Sequence, residues 1–300
     1  MKTLTIGMGP LYALVAALGF ALWNLYMQRA LERGVSVTAN LLALSGSVAA
    51  IFLPVALWQY AQGSLPPLRQ EGLLPFAVVG LVTGALGPFH STQATRRIGA
   101  AQTTAIRLLD PLFAFLIGLL FLQERVGLAP LTGVLLIMAG LWLLQGRPQD
   151  GAPAAAGRTA GLLFALGASL LFTVGSAFRK VGMAAIPSPI VSVTAEGLTG
   201  VLVVLLATAV GRRWAEARQL FTWQARDAWL SGLSATVATL CLNLALQQLT
   251  LPVAVALRNS SPWFALLLAP LLLGSGHRSG RRAWASTLLL TLGMLLILVR

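Results

Sequence analysis

The sequence predicts an all-α integral membrane protein with ten transmembrane helices, arranged as two inverted five-helix repeats. Three observations lead to this fold. Hydrophobic residues make up 57% of the chain and charged residues only 10%, whereas a soluble domain has about 25% charged residues. Apolar segments of membrane-spanning length follow one another along the chain. The second half of the sequence also repeats the first.

Ten segments are apolar and long enough to cross a bilayer, which takes about 17–25 residues. Short connections that contain glycine or proline separate most of them, as at Gly34. The predicted spans are 10–28, 36–58, 73–95, 101–122, 127–145, 160–178, 189–210, 228–248, 251–273 and 283–299.

The repeat divides the chain. The stretch from Leu11 to Phe20 resembles the stretch from Leu163 to Phe172, which also argues against a cleaved signal peptide at the start. We therefore expect a first repeat at 1–148, a linker at 149–156 and a second repeat at 157–300. Five spans is an odd number, so the two copies must enter the membrane from opposite sides. A pseudo-two-fold axis in the membrane plane then relates them.

The candidate site is a motif that occurs once in each repeat, A-I-R-L-L-D-P-L-F-A and A-L-R-N-S-S-P-W-F-A. The alignment places Arg107 on Arg258 and Pro111 on Pro262. Each proline frees the carbonyl four residues earlier and predicts a helix break. A guanidinium inside a membrane is costly and is usually functional. We therefore expect Arg107 and Arg258 to bind substrate near the midplane, between the repeats.

Two acidic residues in predicted spans accompany these arginines. Asp110 lies three residues after Arg107, near enough on a helix to pair with it. The second repeat has Ser261 there, so we expect Arg258 to be freer for a ligand, with Glu196 as its candidate partner. Asp110 and Glu196 are also candidates for carrying a coupling proton. The alternative is that the arginines only pin helices together or reach towards the interface.

Further substrate-binding candidates are polar or aromatic residues beside these breaks or near helix ends. Packing, an interfacial position or simple hydration is the alternative for several of them. The candidates are Asn259, Trp263, Trp23, Asn24 and His90.

The sequence carries no recognisable catalytic or cofactor motif. There is no nucleophile elbow, no H-E-x-x-H and no P-loop, so we predict a non-enzyme with no cofactor and no metal. The net charge of +13 is spread over short loops, which favours lipid headgroups over nucleic acid as its partner. With Cys241 as the single cysteine, no disulfide can form within the chain.

A proline followed thirteen residues later by an acidic residue, here Pro111 and Glu124, precedes the stretch R-V-G-L-A-P-L-T-G-V-L-L-I-M-A-G. With Gly133 and Gly140 in this stretch, the chain resembles the EamA-type ten-helix transporters of the drug/metabolite transporter superfamily. The resemblance implies transport of small molecules, often export of amino acids or metabolites. In the second repeat Ser275 replaces the acid, so we expect Glu124 to serve as a helix-end cap or loop contact.

These observations predict a secondary transporter, an exporter or exchanger, in the plasma (inner) membrane. Its substrate is a small polar or anionic metabolite such as an amino acid, and its other partner is the lipid bilayer. It acts as a monomer or homodimer. The alternatives are a broad exporter of amphipathic compounds with structural arginines, and a membrane protein that does not transport.

The side of the membrane on which the termini lie stays open. The predicted face opposite the termini has thirteen cations and the terminal face six, Arg179 and Lys180 among them, which puts the termini outside the cell. The family resemblance implies termini in the cytoplasm.

Overall fold

The structure is a computed structural model that describes residues 8–125, 127–144, 155–261, 263–264, 267–268 and 281–298. In these ranges the chain forms helices and no β-strand. The first half contains α1 (Met8–Glu32), α2 (Val37–Ala61), α3 (Gln70–Leu81), a π-helical turn (Val82–Leu86), α4 (Gly87–Arg107), α5 (Asp110–Leu120) and α6 (Leu128–Leu144). The second half contains α7 (Ala155–Ala185), α8 (Pro189–Val210), α9 (Trp214–Arg218), two 3-10 turns (Gln219–Phe221 and Trp223–Ala225), α10 (Arg226–Gln248), α11 (Leu251–Arg258) and α12 (Arg281–Leu298).

The protein is a multi-pass membrane protein. Among the described residues, 6 helical segments are long and apolar enough to span a bilayer, and two further apolar helices are shorter. The six are Met8–Glu32, Val37–Ala61, Gln70–Ala94, Gly157–Ala185, Pro189–Val210 and Trp223–Gln248; the shorter ones are Asp110–Leu120 and Leu128–Gly140.

Local sequence sets the helix ends. Gly34 has a φ of 82°, a left-handed conformation that glycine adopts without strain, and it ends α1. Ser36 caps α2 by accepting a hydrogen bond from the Ala39 N–H. Ser188 caps α8 in the same way. Several predicted spans differ from the structure, and the span at 251–273 is broken after Arg258. The span at 101–122 is broken after Arg107, and the span at 160–178 continues as α7 for seven more residues, to Ala185.

Ile98 and Arg107 of α4 lie beside different parts of α7. Up to Ile98, α3 and α4 run antiparallel to α7, and Ile98 lies beside Gly161 near the start of α7. Arg107 instead lies over Phe172, near the middle of α7. Arg107 lines the centre of the molecule.

The helices pack in a regular set of pairs. α1 packs on α10, and α7 packs on α3 and α4; α2 packs on α8, α5 on α11 and α6 on α12. The last three pairs are antiparallel. In the pair of α2 and α8, for example, Ser45 lies against Gly200, whereas the Thr194 hydroxyl donates to the Phe52 carbonyl one to two turns away.

Small residues allow this close packing. A Cβ on Gly80 would lie 2.5 Å from Thr199, and one on Gly84 would lie 3.0 Å from the Cα of Gly200. Gly140 likewise lies against α12. The glycine-rich stretch Gly80–Gly87 is therefore a helix contact. The largest apolar cluster surrounds α11, in which every residue is buried.

Candidate functional site

Both arginine motifs are helix breaks. α4 ends at Arg107 and helical structure resumes at Asp110; α11 ends at Arg258 and helical structure resumes at Ser261. Pro111 lies in the first turn of α5, where a missing N–H costs nothing. A cation at a helix C-terminus and an acid at a helix N-terminus also suit the helix dipoles. Pro262, the second predicted break residue, lies outside the described residues.

Asp110 binds both arginines, although unequally. Its side chain is 0% exposed. The Arg258 Nη2 donates to Asp110 Oδ2 at 2.6 Å, whereas the Arg107 Nη2 lies 3.5 Å from the same oxygen. The Ser169 hydroxyl donates to the other carboxylate oxygen. Asp110 therefore joins α5, α7 and α11 at the level of the helix breaks.

Asn259 connects the two breaks. Its side-chain oxygen accepts from Arg258 Nε at 3.2 Å and from Nη2 at 2.9 Å. Its amide nitrogen donates to the Arg107 carbonyl at 3.0 Å. This is the carbonyl that Pro111 leaves without a helical partner. Asn259 lines the central cavity, but its amide already holds the two arginine segments together.

Arg107, rather than Arg258, has the freer guanidinium. The Arg258 side chain is 5% exposed and is hydrogen-bonded to Asp110 and Asn259, whereas that of Arg107 is 20% exposed. Arg107 Nε has no hydrogen-bond partner among the described residues. Its guanidinium lies 4.7 Å from the ring centroid of Phe172. The expectation that Arg258 is freer was therefore wrong, because Asp110 reaches across to Arg258 once the helix breaks.

Glu196 pairs with Arg179 and not with Arg258. Arg179 Nη2 lies 2.5 Å from Glu196 Oε1, and Nε donates to Oε2 at 3.3 Å. The Thr83 hydroxyl lies 2.5 Å from Oε1 and accepts from Arg179 at 3.0 Å. The expected pairing with Arg258 was wrong because α7 extends past the predicted end of its span. Arg179 is therefore a buried helix residue and not a loop cation.

The sequence contained a signal for this pair. Arg179 and Glu196 flank the turn at Pro187–Pro189, so a helical hairpin brings them to similar depth. A carboxylate inside a span needs a cation, and Arg179 is a close candidate along the chain.

These side chains enclose a central cavity of about 60 Å³. Its charged lining residues are Arg107, Arg179, Glu196 and Arg258. Its aromatic lining residues are Phe20, Trp23 and Phe172. The volume holds only a few water molecules. The site is therefore narrow, strongly charged and walled by aromatic rings.

Two predicted site residues of α1 line this cavity. Trp23 is 4% exposed and packs edge-on to Phe20, with 6.0 Å between ring centroids. Its Nε1 has no acceptor in the described part of the chain. Asn24 lies next to it in the cavity wall. α1 thus contributes a buried, unused N–H beside the arginine segments.

The structure places His90 and Trp263 elsewhere. His90 Nδ1 lies 2.8 Å from the Leu86 carbonyl, and its ring packs edge-on to Phe164 on α7. Trp263 packs edge-on to Phe264 and against the main apolar cluster. Neither lines the central cavity. The ring that faces Arg258 is Phe20, at 5.9 Å.

The two faces of the molecule differ. We call the face at which α1 begins the first face and the face at which α1 ends the second face. A cleft of about 820 Å³ lies near the second face, between the ends of α1, α2, α4 and α8. We call it the second-face cleft. Leu31, Leu41, Leu86 and Val203 are among its lining residues.

Towards the first face, Glu124 of the first half of the chain contacts residues of the second half. It forms an ion pair with Lys180 of α7 and accepts a hydrogen bond from the Leu251 N–H at 2.7 Å. Lys180 also donates to the Leu249 carbonyl at 2.7 Å. Glu124 is therefore a helix-end cap for α11, as the sequence indicated.

The described residues bring together no group of three His, Cys, Asp or Glu side chains that could hold a metal ion. The charged and aromatic groups around the central cavity are guanidinium groups, carboxylates and aromatic rings.

Residues 7–145 match the model of the EamA-like transporter family. The first half of the chain is therefore similar to this family. No curated protein matches the chain. A solved structure, described only as the crystal structure of a protein, has a TM-score of 0.74 and 19% identity, with 96% of each chain covered. This likeness shows the fold alone. The EamA-like match indicates a membrane transporter.

Proposed function

We propose that the protein is a secondary transporter that carries a small anionic or polar metabolite across the plasma membrane, by alternating access of two inverted five-helix halves. The halves correspond to residues 1–148 and 157–300, joined by the linker 149–156. The substrate occupies the central cavity between them. The protein works within the lipid bilayer as a monomer or homodimer.

The packing of the helices supports the inverted arrangement. In the two halves, α1 corresponds to α7, and α10 corresponds to α3 and the start of α4. The contact of α1 with α10 therefore corresponds to the contact of α7 with α3 and α4. Exchanging the halves returns the pairs α2–α8, α5–α11 and α6–α12 to themselves, and each is antiparallel. Antiparallel equivalent helices require an axis in the membrane plane, which is the plan of many secondary transporters.

The charge balance of the cavity carries the proposal of an anionic substrate. Three guanidinium groups, on Arg107, Arg179 and Arg258, face two carboxylates, on Asp110 and Glu196. Among the described residues around the cavity, one positive charge is therefore left over. Its holder is Arg107, whose Nε has no partner there. A buried cation without a counterion is unfavourable, and a bound anion would supply the missing charge.

The cavity also favours a small substrate over amphipathic drugs. Drug-sized ligands occupy pockets of about 300–1,000 Å³ with mainly apolar walls. The central cavity is far smaller, at about 60 Å³, and contains two buried ion pairs. These features support a compact, charged metabolite.

Transport by reconstituted protein tests this proposal. Purified protein in proteoliposomes is assayed for uptake and exchange of small organic anions and amino acids, with and without a pH gradient. Arg107→Gln removes the excess positive charge, and it should raise KM for the transported anion at least about tenfold, because hydrogen bonds to charged groups contribute about 1.5–3 kcal/mol.

Arg97→Gln is the matched control, since Arg97 lies on the same helix but bonds Gln93 and stacks on Phe164, outside the central cavity. It should leave KM unchanged. Equal transport by the wild type and the Arg107 variant would contradict the role of Arg107. Failure of every anion and amino acid to move would contradict the transport proposal itself.

A further inference from the structure

We infer that the central cavity selects a compact monocarboxylate without an ammonium group, and that Arg107 Nε and Trp23 Nε1 are the two donors that bind it. The inference rests on the proposed transport function and names its substrate class. It excludes zwitterionic amino acids as preferred substrates.

Some buried hydrogen-bonding groups of the described residues near the central cavity have no partner. Several buried side-chain polar atoms of the described residues lack a partner, and two of them belong to residues that line the central cavity. Both are N–H donors, Trp23 Nε1 and Arg107 Nε. Buried donors without an acceptor are rare in folded proteins and call for an explanation. A ligand with two acceptor oxygens explains both.

A second feature of the site is the state of its carboxylates. Asp110 is bound by Arg258, Arg107 and Ser169. Glu196 receives two donors from Arg179 and lies against the Thr83 hydroxyl. Both carboxylates around the cavity thus already have their counterions. An amino acid would bring an ammonium group that finds only engaged acids there, beside an excess of one guanidinium charge. A ligand with a net charge of −1 fits that excess.

A third feature of the site is the environment of the two donors. The Arg107 guanidinium lies over the face of Phe172, and Phe172 and Trp23 belong to one apolar cluster, against which Phe20 packs. A carboxylate between the donors would therefore have its carbon skeleton against aromatic rings. A guanidinium N–H and an indole N–H directed at one carboxylate also form short, charge-assisted bonds. The site suits a small acid with an apolar body.

Matched ligands test the inference directly. Propionate, alanine and propionamide have similar size and differ in net charge and in the amino group. Binding to purified protein in detergent is measured by calorimetry at pH 7, and a second series uses 3-phenylpropanoate and phenylalanine to vary the body. We expect each carboxylate to bind at least about tenfold more tightly than its amino acid or amide, since a lost charged hydrogen bond has about that effect.

Trp23→Phe keeps the ring and removes the donor. It should weaken carboxylate binding about fivefold to tenfold while the melting temperature changes little, because one hydrogen bond is lost. Trp229→Phe is the control, since the Trp229 N–H donates to the Leu220 carbonyl away from the cavity. Arg107→Lys keeps the charge but loses the Nε donor, and it should weaken carboxylate binding as well.

Two results would overturn the inference and leave transport intact. One is binding of alanine or phenylalanine as tight as that of the matched carboxylate. The other is an equal effect of Trp23→Phe and Trp229→Phe on carboxylate affinity. Absence of transport for all carboxylates and amino acids in proteoliposomes would instead remove the proposed function on which the inference depends.

Discussion

At the scale of single residues, Asp110 determines how the arginines are divided between structure and ligand. It lies at the N-terminus of α5 and takes the Arg258 guanidinium at 2.6 Å. Arg107 remains at 3.5 Å, with one donor unused. The Asp110 carboxylate thus gives Arg258 a structural role and leaves the Nε donor of Arg107 available for a ligand.

Replacing Asp110 should therefore destabilise the protein strongly. Asp110→Asn leaves two guanidinium groups without their shared counterion, and breaking a buried pair costs about 3–5 kcal/mol. The melting temperature of the purified protein measures this loss. Asp227→Asn is the control: Asp227 is also buried, but its partners Arg29 and Arg33 are 26% and 34% exposed and can be hydrated instead. An equal loss in both variants would contradict this account.

The two arginines should differ in what their removal affects. Arg258→Gln leaves Asp110 and Asn259 without their main donor inside the core, so it should lower the melting temperature more than Arg107→Gln does. Arg107→Gln should mainly reduce ligand affinity. Thermal unfolding and calorimetric binding of the same two preparations separate the effects. A larger stability loss from the Arg107 substitution would reverse the assignment.

The sequence predicted helix breaks at the two arginine motifs and a pairing of Arg107 with Asp110. Both predictions follow from the spacing of residues along the chain. It did not predict that Asp110 binds Arg258 more closely. The helix ends between Arg107 and Asp110, so the spacing of a continuous helix no longer holds them together. The partner of a buried charge then depends on which helices pack, which a single sequence does not encode locally. The partner of Glu196 was missed for a different reason: Arg179 lies just beyond the predicted end of its span, but inside α7.

At the scale of helices, α2 is held between α8 and α10 by glycine contacts. A Cβ on Gly232 of α10 would lie 2.5 Å from the Ala43 carbonyl oxygen of α2, a backbone atom that cannot move aside alone. Gly197 of α8 lies equally close to α2, with 2.7 Å to the Ala49 nitrogen.

Gly232→Ala should destabilise the protein by about 1–3 kcal/mol, because it forces α10 away from α2. Gly46→Ala is the matched control. Gly46 lies within α2 with nothing within 4 Å of an added Cβ, and the better helix propensity of alanine should stabilise α2 by up to about 1 kcal/mol. Thermal unfolding of the two variants should therefore shift in opposite directions. Equal shifts would show that these contacts do not limit stability.

At the scale of the whole molecule, the described residues form a transporter-like body that is open towards one face. The second-face cleft has a volume of about 820 Å³, and the central cavity lies beyond it with about 60 Å³. Both are lined by α2, the π-helical turn and α8 at neighbouring positions, such as Ser45 and Leu41 on α2. Towards the first face, the contacts of Glu124 with Lys180 and Leu251 join the halves. Alternating access would require these contacts to break when the second face closes.

Cysteine accessibility in a Cys241→Ala background tests this asymmetry. Val203→Cys places a thiol in the second-face cleft, and Val253→Cys places one on α11 beneath the Glu124 contact. In ligand-free protein in detergent, a charged thiol reagent should modify the Val203 position rapidly and the Val253 position slowly, because water reaches only the first. Adding Lys180→Met removes the ion pair with Glu124 and should speed modification at Val253 while leaving stability largely intact, since Lys180 is 27% exposed. Equal modification rates at both positions in the ligand-free protein would mean that the first face is not closed. An unchanged modification rate at Val253 in the Lys180 variant would mean that the ion pair of Lys180 with Glu124 does not hold the first face closed.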